Sequence, residues 1–479
     1  MFRDLREFIA KADELGQCKT IEGAHWDLEI GLITEWQAGL PNGPMLLFDK
    51  IGEYGAGYRV AANIFSNNLR TSLGLGLPLD ATLMQQIKIW RDRERNLKLI
   101  PPKVVDSGPV MDNLDEGDHV DLFKFPVPKW HPLDGGRYIG TGDMVITRDP
   151  EEGWVNAGTQ RVQIHDRNTA TIVMSPGRHN EVIRRKYWRE GKPCPVAVSC
   201  GQAPLLWAAS NFAGPWGVSE FDYAGGLAGE PFEVVEGPYT GLPIPARAEI
   251  VLEGDLLPPG QEDVIEGPFG EWAGYYTDVE KVLPAFKVRS IAYRNNPIIQ
   301  GNPPLLMPLD YALGRHIRRA GLVWEELNRQ IPGVKGVWIL EGATIHGGLI
   351  ISLKQEFAGH AQLAAMTAAG SYAVAYMLKW VIVVDDDIDP TNMHEVMWAL
   401  GTRGDASENI TVMKNCWGSF ADPALSPEKR ERKQYDHSLA IVLACKPYHW
   451  IAKYPPSIKS PPEMIQKVKD KWQAQFADK

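Results

Sequence analysis

Residues 144–175 read MVITRDPEEGWVNAGTQRVQIHDRNTATIVMS, and the fold turns on this stretch. Short runs of β-branched and apolar residues alternate with Asp-Pro, Glu-Glu-Gly and His-Asp-Arg-Asn breaks, the pattern of short strands joined by tight turns. The segments flanking residues 165–168 predict a hairpin. The same cadence continues in CPVAVSCG, ARAEIVLEG and FKVRSIAYR, so residues 121–310 are expected to form an antiparallel sheet or barrel.

On either side the pattern changes. Residues 1–120 mix helical periodicity with short apolar runs (PMLLF, YRVAA), an N-terminal α/β domain that closes on the acidic, turn-rich VVDSGPVMDNLDEGDHVDL. In residues 311–460, HIRRAGLVWEELNRQI predicts a helix and GVKGVWIL a strand. LAAMTAAGSYAVAYML predicts a buried helix leading into WVIVVDDDID, which makes this region a C-terminal α/β domain. Residues 461–479 predict a terminal amphipathic helix whose apolar side suits an oligomer contact. The fold class is therefore multidomain, mixing α+β and α/β parts.

Composition narrows the function. A chain of 479 residues, 44% hydrophobic and 23% charged, is long enough for about three domains. Its net charge of -10, with no basic stripe, argues against a nucleic-acid surface. Five scattered cysteines without a CxxC pair indicate neither a disulfide framework nor a zinc site, and suit a reducing compartment. MFRDLREFIAKADELG reads as an amphipathic helix and not a signal peptide, and the longest apolar stretch, 16 residues, falls short of the roughly 20 that a membrane span needs. A cytoplasmic protein without a membrane span is expected.

Three constellations could carry chemistry. EGPFGEWAGYYT, residues 266–277, sets Glu266 and Glu271 on either side of a Gly-Pro-Phe-Gly break, with Trp272, Tyr275 and Tyr276 following. Five residues apart on a straight strand, the acids would face opposite ways; the break allows them to converge, as paired carboxylates of divergent pKa would, or else to sit solvated on a surface turn. Upstream and downstream of the hairpin, Asn156, His179 and Glu220 offer an oxygen, an imidazole and a carboxylate, a set suited to Mn²⁺ or Mg²⁺, although spacing alone does not separate a ligand from a structural histidine. Asp387 and Asp389 in VIVVDDDIDPT have the Asp-x-Asp-x-Thr form of haloacid-dehalogenase-type phosphatases, with a solvated acidic loop as the plain alternative.

Five blocks in order resemble the UbiD-type decarboxylases, a family named for an enzyme of ubiquinone biosynthesis. They are FPVPKWHPLDGGRYIGTGDMVITRDPEEGWVNAGTQR, SPGRH, GVSEFDYAGGLAGEP, EGPFGEWAGYYT and VIVVDDDIDPTNMHEVMWALGTR, and together they span nearly the whole chain. The resemblance implies reversible, non-oxidative decarboxylation of an aromatic, heteroaromatic or α,β-unsaturated acid. It implies a central split β-barrel that binds prenylated flavin mononucleotide (prenylated FMN) through its phosphate and a divalent cation, with the cofactor supplied by a flavin prenyltransferase. Asn156, His179 and Glu220 match the family's metal positions. Potassium is expected nearby, on main-chain oxygens of residues 210–212 (Ser210, Asn211, Phe212) with Glu220.

Thr159, Arg178 and Asn211 match positions that touch the cofactor, and Arg161, Glu266 and Glu271 match the family's catalytic Arg-Glu-Glu network. His346, Lys354 and His437 are substrate-contact candidates on residue type alone. The family's Gly-Lys-type segment near the cofactor phosphate is absent from KQYDHSLAIVLACKP, so Lys446 is not given that role. A homodimer or an assembly of dimers is implied. Two other readings stand beside this one: the phosphatase, and a flavin-binding subunit without catalysis.

Overall fold

Alternation along the central strands builds the largest layer. The computed structural model describes residues 1–479 apart from 41, 212–213, 277–279, 307–309, 311, 341–346, 459, 473–474 and 476–479. Among the described residues a nine-stranded sheet runs in the order Arg137–Gly140, Arg161–Ile164, Thr169–Val173, Phe286–Tyr293, Ile250–Leu256, Cys194–Cys200, Asp143–Arg148, Val155–Gly158, with Asn113–Glu116 added on the Phe286–Tyr293 strand. Every pairing in it is antiparallel. The predicted hairpin forms, Arg161 lying opposite Val173 and Ile164 opposite Ala170.

Successive side chains point to opposite faces, so the two cores are sorted by parity. Val145, Val198, Leu252 and Ile291 fill the inside of the curl, while Met144, Ile146, Ala197 and Val251 face the helices outside. A register shift between Glu253 and Gly254 bends the sheet, and only glycine fits at 254, because a Cβ there would lie 2.0 Å from the Lys287 carbonyl oxygen. The result is a curled β half-barrel.

Of four smaller sheets among the described residues, the larger two belong to the terminal regions. The N-terminal one, Cys18–Glu22, Met45–Asp49, Arg59–Ala62 and Ile298–Gln300, takes its last strand from far along the chain. The C-terminal one runs Val334–Ile339, Gly348–Leu353, Trp380–Asp385, His437–Ala444, Ile410–Cys416, with helices Ala312–Asn328, His360–Ala369 and Met393–Arg403 around it. Three strands cross the divisions expected from the sequence: Asn113–Glu116 joins the half-barrel, Ile298–Gln300 the N-terminal sheet, and Lys103–Val104 pairs with Glu233–Glu236 of the central region.

One expectation is corrected. LAAMTAAGSYAVAYML is not a single buried helix; the helix ends at Ala369, where Gly370 caps it, and the Ser371 hydroxyl accepts from the Ala373 N–H in place of a further helical turn. Leu363, Met366 and Tyr372 are exposed. The terminal helix is described over Pro462–Trp472, and Met464, Ile465, Val468 and Trp472 are all exposed on it.

The C-terminal sheet is tied at its strand ends by an ion cluster. Arg403, with a side chain only 1% exposed, donates Nη1 to Asp385 and to Asp387, each at 2.7 Å, and Nη2 to Asp387 at 2.8 Å. Replacing Arg403 by Ala strands the buried Asp385 charge, and removing one partner of such a pair costs about 3–5 kcal/mol. The R403A variant should therefore unfold at a clearly lower urea midpoint, read by circular dichroism.

Candidate active site

The turn after strand Asp263–Glu266 is held from two directions. Gly270 N–H donates to Asp134 Oδ1 (3.1 Å) and Gly135 N–H to the Pro268 carbonyl (2.7 Å). Gly135 must lack a side chain, because a Cβ would stand 1.8 Å from the Gly267 carbonyl oxygen. Gly267 itself has φ +87°, a left-handed conformation that glycine adopts without strain. The chain therefore reverses after Glu266 and returns Glu271 to the same side.

Both acids meet Arg161, which projects from strand Arg161–Ile164. Nε and Nη2 donate to the two oxygens of Glu266, each at 2.8 Å, a bidentate pair; Nη1 donates to Glu271 Oε1 at 2.6 Å. Such fork geometry is the strong form of charge-assisted hydrogen bonding. The side chains are 9% (Arg161), 0% (Glu266) and 14% (Glu271) exposed, so the group is buried with one edge open. Burial works against the guanidinium charge, but Glu271 and Glu266 outweigh it and raise the Arg161 pKa.

That open edge faces a cavity of about 460 Å³. Arg161, Thr159, Gln160, Phe269, Glu271 and Trp272 form one wall. Tyr372, Tyr376, Trp417, Phe420 and Tyr435 from the C-terminal region form the other. Arg178, Arg315 and Arg319 also line it, and guanidinium is the side-chain cation that suits an anion such as phosphate. A second hollow of about 190 Å³ continues from it past Thr159, Arg178 and Arg315 to Asn156, His179, Ser210, Asn211 and Glu220.

The donors in this hollow fit a hard divalent cation. Glu220 is buried, accepts from Asn156 Nδ2 (2.8 Å) and Ala157 N–H (2.7 Å), and forms no ion pair among the described residues. Burial pushes its carboxyl up to about 7, against the N–H bonds that lower it. Asn156 Oδ1 is buried with no hydrogen-bond partner, an oxygen left for a ligand. His179 starts helix His179–Arg189, its ring edge-on to Trp154 and Trp216 at 5.5 and 5.3 Å, and burial with Arg178 nearby lowers its pKa, keeping the imidazole neutral. No cluster of three His, Cys, Asp or Glu occurs among the described residues, so an amide oxygen is needed to complete this set.

Comparison with known proteins decides the family. Sequence profiles for the N-terminal, Rift-related and C-terminal domains of 3-octaprenyl-4-hydroxybenzoate carboxy-lyase, the UbiD domains, match residues 9–90, 103–305 and 311–438. The chain belongs to the UbiD carboxy-lyase family. It is 34% identical to a pyrrole-2-carboxylic acid decarboxylase of Pseudomonas aeruginosa over 84% of this chain and 82% of that protein. It is 30% identical to a phenolic acid decarboxylase of Sedimentibacter hydroxybenzoicus over 89% of each.

Among solved UbiD structures, the vanillic acid decarboxylase of S. hydroxybenzoicus in its open form superposes with TM-score 0.86 at 27% identity over the full length of both chains. A UbiD-class enzyme of Pelotomaculum thermopropionicum in complex with FMN gives 0.84 at 25% identity, over 98% of this chain and 99% of that one. This chain is thus an enzyme of carboxy-lyase type with the UbiD fold. Among the described residues, no helix is long and apolar enough to cross a membrane.

Other residues singled out in the UbiD sequence are placed as follows. Ser210 and Thr159 hydroxyls lie 2.7 Å apart, the Ser210 carbonyl accepts from Thr159 N–H, and Asn211 donates to the Trp207 carbonyl. Phe212 and His346 fall outside the described residues. Lys354 is exposed, pairs with Glu356 at 3.4 Å and does not line the cavity. His437 is also off the cavity; its ring nitrogens face the carbonyls of Ser438 and Trp417.

Asp387 is engaged by Arg403 and by Lys446 (3.0 Å), which hold its carboxyl down at about 2 against burial, and Asp389 accepts from Thr391. Residues that sequence reasoning passed over are Arg315 and Arg319, one helical turn apart in RHIRRAGLVWEEL, and the aromatic wall. The i, i+4 arginine pair on a helix was the available signal.

A buried carboxyl with a raised pKa favours folding while protonated and loses that contribution as pH rises toward 7 and beyond. In the metal-free chain, E220Q should therefore raise the thermal midpoint relative to wild type by more at pH 8 than at pH 5.5. Differential scanning fluorimetry at the two pH values checks this.

Proposed function

We propose that this enzyme catalyses the reversible, non-oxidative decarboxylation of an aromatic or heteroaromatic acid, α,β-unsaturated acids being the wider class, with prenylated FMN, a divalent cation (Mn²⁺ or Mg²⁺) and potassium. The observation that carries the reading is one guanidinium joining two carboxylates on the wall of a long cavity. In this reading Asn156, His179 and Glu220 hold the divalent cation, Arg178, Thr159, Ser210 and Asn211 hold the cofactor, with Phe212 matched to the same role, and Arg161, Glu266 and Glu271 are catalytic. When bound, prenylated FMN supplies an electron sink for the carbon that loses carbon dioxide.

The residues of the chain do the rest. Arg161 orients the substrate carboxylate and is itself fixed by the bidentate Glu266. Glu271, the more exposed of the two acids, delivers a proton to the carbon after carbon dioxide leaves and removes one in the carboxylating direction. The aromatic walls exclude water and favour neutral carbon dioxide over the carboxylate. Because relatives act on pyrrole-2-carboxylic and phenolic acids, single-ring acids head the substrate panel.

Residues 121–310 are proposed as the cofactor-binding split barrel between N-terminal (1–120) and C-terminal (311–460) α/β domains. The helix in 461–479 then serves a homodimer or an assembly of dimers, in the cytoplasm beside a flavin prenyltransferase. The phosphatase alternative is weakened by the cations that occupy Asp387. The complete Arg161, Glu266 and Glu271 set speaks against a non-catalytic subunit.

Co-expression with a flavin prenyltransferase, Mn²⁺ loading and a panel of pyrrole, furan, phenolic and cinnamic acids should give carbon dioxide release and a flavin absorbance spectrum. E271Q should lower turnover at least about a thousandfold with the spectrum intact; retained turnover removes Glu271 from the mechanism. Cofactor-free, Mg²⁺-dependent phosphate release would instead favour the phosphatase.

A further inference from the structure

Behind the two carboxylates lies a buried pair that the reaction as described does not use. Tyr138, on strand Arg137–Gly140, and Gln163, on strand Arg161–Ile164, are register partners. Tyr138 is fully buried and its ring centroid lies 4.3 Å from that of Phe269 in the Glu266–Glu271 turn. Its hydroxyl oxygen lies 3.1 Å from Glu266 Oε1, 3.2 Å from Gln163 Oε1 and 3.4 Å from the Pro268 carbonyl.

All three neighbours are acceptors, and a phenol has one proton to give. The Gln163 amide cannot turn to supply a donor, since its oxygen already receives the Gly267 N–H at 3.0 Å. The proton goes to the charged acceptor, Glu266, where the bond is charge-assisted. Burial first, and then the Glu266 charge, raise the Tyr138 pKa, which keeps the phenol a donor.

We propose that Tyr138 is a positioning residue for the decarboxylation: with Gln163 it anchors Glu266 and the Gly267–Pro268 turn, making Glu266 the fixed acceptor and leaving proton exchange to Glu271. The inference rests on the decarboxylase reading. Among the described residues three donors converge on Glu266 (Arg161 Nε, Arg161 Nη2 and Tyr138 Oη), and it is Glu271, also bound by Arg161 Nη1, that lines the cavity. Other charged or titratable groups facing this pair are His165 on the same hairpin and Asp134 beside the phenol.

The test uses holoenzyme loaded with prenylated FMN and Mn²⁺, with pyrrole-2-carboxylate or the best acid of the panel. Y138F keeps the ring and removes the donor. Loss of one charge-assisted hydrogen bond should lower kcat about 10- to 100-fold, with KM within about threefold of wild type, since the phenol lies behind Glu266. Because the donor stabilises negative charge on Glu266, its removal should move the acid limb of the kcat/KM profile to higher pH, by about one unit.

Difluorotyrosine at position 138, a stronger donor that differs from tyrosine only at ring hydrogens, should move the same limb to lower pH and covers the case in which Y138F does not fold. Unchanged kcat and pH profile in Y138F, or no movement of the limb with difluorotyrosine, overturns the inference while an active wild type keeps the decarboxylase reading. A correctly loaded wild type inactive on the whole panel removes that reading and this inference with it.

Discussion

One buried guanidinium organises the site. Taking Arg161, Glu266 and Glu271 out of water costs several kcal/mol per ion, and mutual attraction recovers this only when geometry is good and spare hydrogen-bonding capacity is met. Here the fork is bidentate on Glu266, the Tyr138 phenol takes up a remaining acceptor position, and Glu271 keeps an edge toward the cavity. The aromatic rings that wall the cavity favour the neutral gas over the carboxylate it comes from.

The architecture serves this contact. Arg161 sits on a strand, where the backbone ladder fixes it, and the acids sit on a turn whose shape depends on Gly135 and Gly267 having no side chain. Arg161 and Glu266 lie 105 residues apart, and the turn rises from a separate two-stranded sheet, Asp263–Glu266 with Lys281–Pro284, to meet the half-barrel strand that carries Arg161. Asp134 and Gln163 then pin the turn's backbone to the sheet.

What could be read in the sequence was what local pattern encodes. The hairpin of Arg161–Ile164 and Thr169–Val173 follows from period-two apolar residues around a polar turn, and the convergence of Glu266 and Glu271 follows from the glycines between them. Long-range choices were not readable. Nothing local says that Asn113–Glu116 pairs with Phe286–Tyr293, or that Ile298–Gln300 leaves the half-barrel for the N-terminal sheet.

The helix expected through Leu378 ends at Ala369 because Gly370 and a serine hydroxyl offer the backbone another partner, an effect that apolar composition hides. Tyr138 resembled ordinary core, since a buried phenol differs from a phenylalanine only in what its oxygen meets. Lys354 and His437 were chosen on side-chain chemistry without geometry, and they lie off the cavity.

The cavity has two unlike owners. Arg161 stands on the half-barrel with the acids on the turn that meets it, while the facing rings of Tyr372, Tyr376, Trp417, Phe420 and Tyr435 lie on segments that connect the strands of the C-terminal sheet, further along the chain. Reshaping that downstream lining leaves the proton machinery untouched, so a lineage built this way exchanges one ring system for another by redecorating a single side of the chamber.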